Sequence, residues 1–99
     1  MTYRITKQAL EARIKYLNEL TGNPVDTHTK TDAGYIANIG NYHSSWAYGG
    51  CQLHRTVNEG GGVSCPLSTG YTSKRELFEC INSFIAALEA VKYGHVEIA

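Results

Sequence analysis

Three consecutive glycines, Gly60 to Gly62, follow the polar segment LHRTVNE and are an unusual local feature of this sequence. Each glycine loses more backbone entropy on folding than any other residue, so three together destabilise a fold unless the backbone there is needed. Successive N–H groups in such a loop can converge on an anion, and a ligand can touch backbone that lacks Cβ atoms. Asn58 and Glu59 can hold the loop through side-chain to backbone hydrogen bonds. The segment predicts either an anion-binding loop or a flexible turn between two strands.

Four side chains that suit a phosphate flank the glycine run. His54 and Arg55 precede it, and Lys74 and Arg75 open the last predicted helix, whose N-terminus itself favours anions. No Gly-Lys-Ser/Thr follows the glycines, so the segment is not a Walker loop, and contiguous glycines do not form a dinucleotide fingerprint. We interpret these side chains and the glycine amides as a phosphate site.

A second cluster, GNYHSSWAYGG, concentrates aromatic and hydrogen-bonding side chains in one hairpin. An aromatic ring face that stacks a nucleobase contributes about 1–3 kcal/mol per base. The same cluster also fits an aromatic corner that covers the end of a small core, or a protein-binding patch. We interpret it as a base- and ribose-binding surface formed by Asn41, Tyr42, His43, Trp46 and Tyr48.

Metal binding and catalysis are less well supported by the sequence. Cys51-x-x-His54 resembles half of a zinc site, but an offset of three on a strand places the two side chains on opposite faces. Cys65 near His43 or His54 would suit a thiolate pair, although no local segment resembles a catalytic signature. We therefore predict no metal, no cofactor and no catalytic residue.

The composition disfavours several classes of partner. The 99-residue chain contains nine Lys plus Arg and nine Asp plus Glu, so its formal net charge is zero. Proteins that bind long nucleic acids or membrane surfaces are usually strongly basic, so we expect neither partner. No apolar run approaches the ~20 residues of a membrane span, and the start of the chain lacks a signal-peptide core. We expect one cytoplasmic domain over residues 1–99, whose thin core favours a homo-oligomer.

Two amphipathic helices are predicted to position the candidate residues. Apolar residues at helical spacing, with Thr6 as N-cap, predict a first helix over 6–21. Ser73 with Glu76 forms a capping-box pattern before a second apolar stripe, and Gly94 is predicted to close this helix.

Residues between the helices alternate with the period of strands. We predict a short edge strand over 25–31 and two longer strands over 35–45 and 46–58, joined at Ser44-Ser45. Hairpin-length connections imply an antiparallel sheet. The predicted fold is α+β: an antiparallel three- to four-stranded sheet with two helices on one face, in the order α-β-β-β-α. The other face would be wet or would contact another subunit.

Five segments together resemble a family of small phage and prophage proteins: ALEARIKYLNELTGNP, GNYH, AYGGCQLHR, NEGGGV and SKREL. The resemblance covers about residues 9–92. It implies a counter-defence factor, since small phage proteins without an enzyme signature often act this way. By analogy with proteins that sequester the signals of Thoeris and CBASS immunity, it implies a non-enzymatic binder of a phosphorylated cyclic nucleotide in the cytoplasm of an infected bacterium. Two other classes stay open: a protein inhibitor of a host defence enzyme, of the anti-CRISPR or anti-restriction type, and a small enzyme that cleaves a nucleotide.

The central structural prediction is that guanidinium groups, ring faces and glycine amides share one cavity. The candidate ligand-binding residues are Asn41, Tyr42, His43, Trp46, Tyr48, His54, Arg55, Asn58, Glu59, Gly60, Gly61, Gly62, Lys74 and Arg75.

Overall fold

The α+β class predicted from the sequence is confirmed by the computed structural model, which describes residues 4–94. Along this part of the chain, one helix precedes five strands and a second helix follows them, in the order α-β-β-β-β-β-α. The elements are α1 Lys7–Thr21, β1 His28–Thr31, β2 Gly34–Ala37, β3 Tyr42–Ala47, β4 Gly50–Thr56, β5 Val63–Ser64 and α2 Lys74–Lys92. The strands form two antiparallel sheets, β1-β2 and β3-β4-β5, where the sequence predicted a single sheet.

Both helices begin at the predicted caps. The Thr6 hydroxyl accepts a hydrogen bond from the Ala9 amide at 3.0 Å, and the Ser73 hydroxyl accepts one from the Glu76 amide at 3.2 Å. α1 ends at Gly22, whose φ of 72° is the left-handed conformation that glycine adopts most readily. These local signals explain why the helix limits could be read from the sequence.

The two helices lie side by side in the same direction. Arg13 Nε of α1 donates to Asn82 Oδ1 of α2 at 2.8 Å, and Lys92 Nζ near the end of α2 donates to the Leu20 carbonyl at 3.2 Å. Residues in the middle of α1 therefore meet residues in the middle of α2, and late residues meet late ones. As a result both helix N-termini lie at one end of the molecule.

The hairpin between β3 and β4 turns at Tyr48-Gly49. Ala47 and Gly50 form its last pair, and the two turn residues have φ values of 54° and 74°, as in a type I′ turn. The prediction of a turn at Ser44-Ser45 is wrong, because both serines pair with β4 inside the ladder. The period-two alternation of the strand continues through Ser44 and Ser45, and only the polarity of the two serines suggested a turn.

The strand predicted over 35–45 is divided into β2 and β3. The break is at Gly40, which has a φ of 94° and whose backbone lies so close to Asn23 that a Cβ atom would overlap the Asn23 side chain. β2 instead pairs with β1, so the edge strand predicted over 25–31 belongs to a separate two-stranded sheet.

The core lies between the two helices and one face of the β3-β4 hairpin. Tyr42, Cys51 and Leu53 supply that face. The helices contribute Leu10, Ile14, Leu17, Leu20, Leu77, Ile81 and Ile85. Successive side chains of a strand point to opposite faces, so Gln52 and His54 lie on the face away from the core.

Candidate functional site

The candidate residues form two groups at opposite ends of the β3-β4 hairpin. We call the region around Tyr48-Gly49 the turn end and the region beyond Arg55 the loop end. Cys51 and Arg55 mark the two ends on β4 and lie about 13 Å apart, at about 3.3 Å per residue. The turn end holds Trp46, Tyr48, Lys74 and Arg75. The loop end holds Asn41, Tyr42, His43, His54, Arg55, Asn58, Glu59 and Gly60 to Gly62. Within a single chain, the glycine loop is therefore separated from the exposed rings and from the start of α2, and the three do not share one cavity.

The glycine loop is a closed turn held by Asn58. The Gly61 amide donates to the Asn58 carbonyl at 3.2 Å, and the Gly62 amide donates to Asn58 Oδ1 at 2.9 Å. The Glu59 carbonyl accepts from the Ala37 amide at 3.3 Å, which ties the loop to β2. Asn58 thus holds the loop as predicted, but two of the glycine amides point into the turn. These two amides are therefore not available to a phosphate.

Gly61 and Gly60 differ in backbone conformation, which provides a paired test of the loop. Gly61 has a φ of 91°, whereas no positive φ is found at Gly60. We expect Gly61→Ala to lower the free energy of unfolding by about 1 kcal/mol because a Cβ is strained there. Gly60→Ala should change it by less than about 0.5 kcal/mol. Urea unfolding measures both, and equal losses would contradict the loop conformation.

Arg55 and Tyr42 form a structural contact at the loop end. The Arg55 guanidinium carbon lies 5.3 Å from the centre of the Tyr42 ring, and Arg55 Nε donates to the Gly40 carbonyl at 3.4 Å. Tyr42 is only 6% exposed, and its ring packs edge-on against Phe84. The base-stacking interpretation of Tyr42 is therefore corrected, since its ring belongs to the core.

Asn41 joins the segment before β1 to the start of β3. Its buried amide Nδ2 donates to the Pro24 carbonyl at 2.8 Å and to the Val25 carbonyl at 3.1 Å. Asn41 Oδ1 lies 3.0 Å from His43 Nδ1. Because the Asn41 amide nitrogen donates twice, its oxygen accepts, and this network assigns the His43 proton to Nδ1. His43 Nε2 is then a hydrogen-bond acceptor beside His54, whose ring centre is 5.8 Å away.

Acid should destabilise the protein through His43. Burial lowers the pKa of His43 below its ordinary value of 6.5, and the neighbouring His54 lowers it further. Between the lowered pKa and about 6.5, the unfolded chain binds more protons than the folded chain. The free energy of unfolding should therefore fall as the pH drops through this window. Urea unfolding at pH 7 and pH 5 should show a smaller fall for His43→Gln, and identical falls would contradict the prediction.

Three aromatic rings crowd the turn end. Tyr48 is 94% exposed, and its ring centre lies 5.5 Å from that of Tyr71 in an edge-on arrangement. The Tyr71 hydroxyl lies 2.9 Å from Ser45 Oγ, on the face that the helices leave open. Trp46 lies on the helix face, 40% exposed, with Lys7 Nζ 5.2 Å from its ring centre.

The two helix starts bring positive charge to these rings. Cys51 and Thr72 exchange backbone hydrogen bonds of 2.8 and 2.9 Å, which fixes the start of α2 beside the hairpin turn. Lys74 and Arg75 occupy the first turn of α2, and Lys7 begins α1. Each helix N-terminus adds a partial positive charge of about half a unit. Lys7 therefore contacts the Trp46 ring on the helix face, and the start of α2 lies beside the hairpin turn.

The sequence interpretation missed Lys7 and Tyr71. Lys7 is one of several charged residues of α1, and its contact with Trp46 depends on the packing of α1 against β3. Tyr71 lies in an irregular segment where no periodicity distinguishes it from the other tyrosines. The Ser45 and Gln52 side chains bond its hydroxyl and lower its pKa.

One small cleft at the β3 edge contains two candidate residues. Its volume is about 200 Å³, and it includes Tyr42 and His43 from β3 with Glu11 and Lys15 from α1. Clefts of about 590 and 470 Å³ on the helical side contain none of the candidate residues.

Two further features bear on the classes of site considered. Within residues 4–94, no three His, Cys, Asp or Glu side chains cluster closely enough to hold a metal ion. No helix in this part of the chain has the length and apolar content needed to cross a bilayer.

Comparison with protein families, with curated proteins and with solved structures gives no match to this chain.

Proposed function

We propose that this protein is a non-enzymatic binder of a phosphorylated nucleotide and that the turn end is its site. The observation that carries the proposal is the conformation and exposure of Tyr48. Following the resemblance to phage proteins, the ligand would be a cyclic nucleotide signal of bacterial immunity, which the protein would sequester in the infected cell.

Tyrosine is a disfavoured residue at position 48 of this turn. Its φ of 54° is unfavourable for a tyrosine, and type I′ turns prefer Asn, Asp or Gly at this position. Strain of this kind persists mainly at functional sites. Because the ring is almost fully exposed, packing in the monomer does not account for it. A bound base stacked on Tyr48 would.

The cations at the two helix starts suit a phosphate. Lys7, Lys74 and Arg75 lie at the two helix starts, and helix N-termini attract phosphate through their amides and dipoles. A formal net charge of zero is compatible with this, because a small anion responds to local potential rather than to the charge of the whole chain. Rings and cations within one region match the two parts of a nucleotide.

Isothermal titration with cyclic ADP-ribose isomers and with cyclic di- and trinucleotides tests the proposal. We expect at least one ligand to bind with a Kd below about 10 μM, which corresponds to about 7 kcal/mol. If every ligand binds more weakly, the proposal fails. Intact ligand recovered after heat denaturation would confirm sequestration, whereas a cleaved product would indicate an enzyme.

The exposure of Tyr48 also favours a second candidate, a protein inhibitor of a host defence enzyme. Tyr48 projects from the hairpin turn and Trp46 is partly exposed on β3, and exposed Tyr and Trp side chains often dominate protein interfaces. Wild-type protein and Tyr48→Asn can be compared as baits in a host lysate. A single protein retained by the wild type and lost with Tyr48→Asn would favour this candidate over a nucleotide binder.

A further inference from the structure

Along β3, the backbone N–H and C=O groups of one residue bond to β4, and those of the next residue point away from β4. The Thr56 amide donates to the Asn41 carbonyl, and the Cys51 backbone bonds to Thr72 on its other side. In the antiparallel ladder, these bonds direct the backbone groups of Tyr42, Ser44 and Trp46 away from β4. β3 is therefore the outer strand of its sheet.

Only part of this outer edge is capped. Asn18 of α1 accepts from the Tyr42 amide at 2.7 Å and donates to the Tyr42 carbonyl at 2.9 Å. Within residues 4–94, the outward N–H and C=O groups of Ser44 and Trp46 have no hydrogen-bond partner. An edge with unpaired backbone groups is a template for another strand.

Charged side chains of α1 flank the uncapped edge. Lys7 lies over the Trp46 ring, and Glu11 accepts a hydrogen bond from the Ser44 hydroxyl. Along β3, Lys7 thus lies beside Trp46, and Glu11 lies beside Ser44. The edge carries one positive and one negative charge beside its two open positions.

We propose that a second copy of this chain pairs with this edge through its own β3. In the antiparallel arrangement that uses both open positions, Ser45 lies opposite the partner's Ser45 and Ser44 lies opposite the partner's Trp46. Each Ser44–Trp46 pair exchanges backbone hydrogen bonds, so the outward groups that Asn18 leaves open become bonded. The three-stranded sheet becomes continuous across a two-fold axis.

The charge pattern selects a second copy over an unrelated strand. The two-fold axis at Ser45 places Lys7 near the partner's Glu11 and Glu11 near the partner's Lys7. An isologous interface must be complementary to itself, and this pair of opposite charges meets that condition. The exposed side of Trp46 is covered in the same arrangement.

The dimer would also bring the turn end of one copy close to the loop end of the other copy. The pairing sets Ala47 opposite the partner's His43, so the turn end of one copy lies beside the 200 Å³ cleft of the other. A nucleotide on Tyr48 could then reach Lys15 and His43 across the interface. This consequence rests on the proposed function, whereas the dimer itself does not.

Sedimentation equilibrium of the ligand-free chain tests the dimer. We expect a dimer at micromolar concentration. Lys7→Glu and Glu11→Lys should each raise the dimer Kd by at least about tenfold, because each replaces two attractive pairs with two repulsive ones. The double exchange should bring the Kd back to within about threefold of the wild type. Lys30→Glu, the same charge change on an exposed residue of β1, is the control and should leave the Kd unaltered.

Two outcomes would overturn the dimer: a wild-type chain that stays monomeric at about 100 μM, or a dimer whose Kd the single exchanges leave unaltered. Hydrogen exchange gives an independent reading, since the Ser44 and Trp46 amides should exchange more slowly as the protein concentration rises. None of these measurements uses a nucleotide, so failure of the dimer is distinct from failure of the proposed function.

Discussion

Replacing Asn18 with alanine is expected to lower the free energy of unfolding by about 2–4 kcal/mol. Asn18 is 1% exposed, and its amide bonds both the N–H and the C=O of Tyr42. Alanine leaves these two backbone groups without partners at a site that water barely reaches, and each unpaired group costs about 1–3 kcal/mol. Chemical denaturation measures the loss.

Asn82→Ala is the matched control for Asn18→Ala. Asn82 is half-buried on the other helix and makes one hydrogen bond to Arg13. We expect a loss of about 1 kcal/mol for this variant. Similar losses at the two positions would show that Asn18 does not cap the β3 edge.

Replacing Tyr48 with asparagine is expected to weaken nucleotide binding about five- to 150-fold without destabilising the fold. Loss of a stacked ring removes about 1–3 kcal/mol of binding free energy. Asparagine is favoured at a turn position with positive φ, so the free energy of unfolding should stay constant or rise by up to about 1 kcal/mol. Titration calorimetry and urea unfolding on the same sample measure the two effects.

Tyr35→Asn makes the same chemical change away from the proposed site. Tyr35 lies on β2 and is 72% exposed. We expect nucleotide binding by this variant to match that of the wild type. Binding that survives in Tyr48→Asn, or that is lost equally in both variants, would exclude a specific role for Tyr48.

The helices could be predicted from the sequence because their signals are local. Thr6 and Ser73 lie directly before apolar stripes, and each accepts the predicted amide hydrogen bond three residues later. The burial of Cys51 and Leu53 on one face of β4 followed from period-two alternation in the same way.

The arrangement of the site could not be predicted because it depends on distant pairings. The turn at Tyr48-Gly49 follows from the register of β3 with β4, and an exposed tyrosine is an unusual residue at such a turn. The placement of the α2 start follows from the pairing of Thr72 with Cys51, which no spacing in the chain indicates. Asn18, by contrast, interrupts an apolar stripe of α1, and this position could have marked it as a buried bonding residue.

Nitrogen-15 chemical-shift mapping tests the central claim most directly. The labelled protein would be titrated with the cyclic nucleotide that binds best in the calorimetric panel. We predict that the largest shifts occur at Tyr48, Gly49, Tyr71 and Lys74. Shifts concentrated at Asn58 to Gly62 and Arg55, or no shifts with any nucleotide in the panel, would contradict a nucleotide site at the turn end.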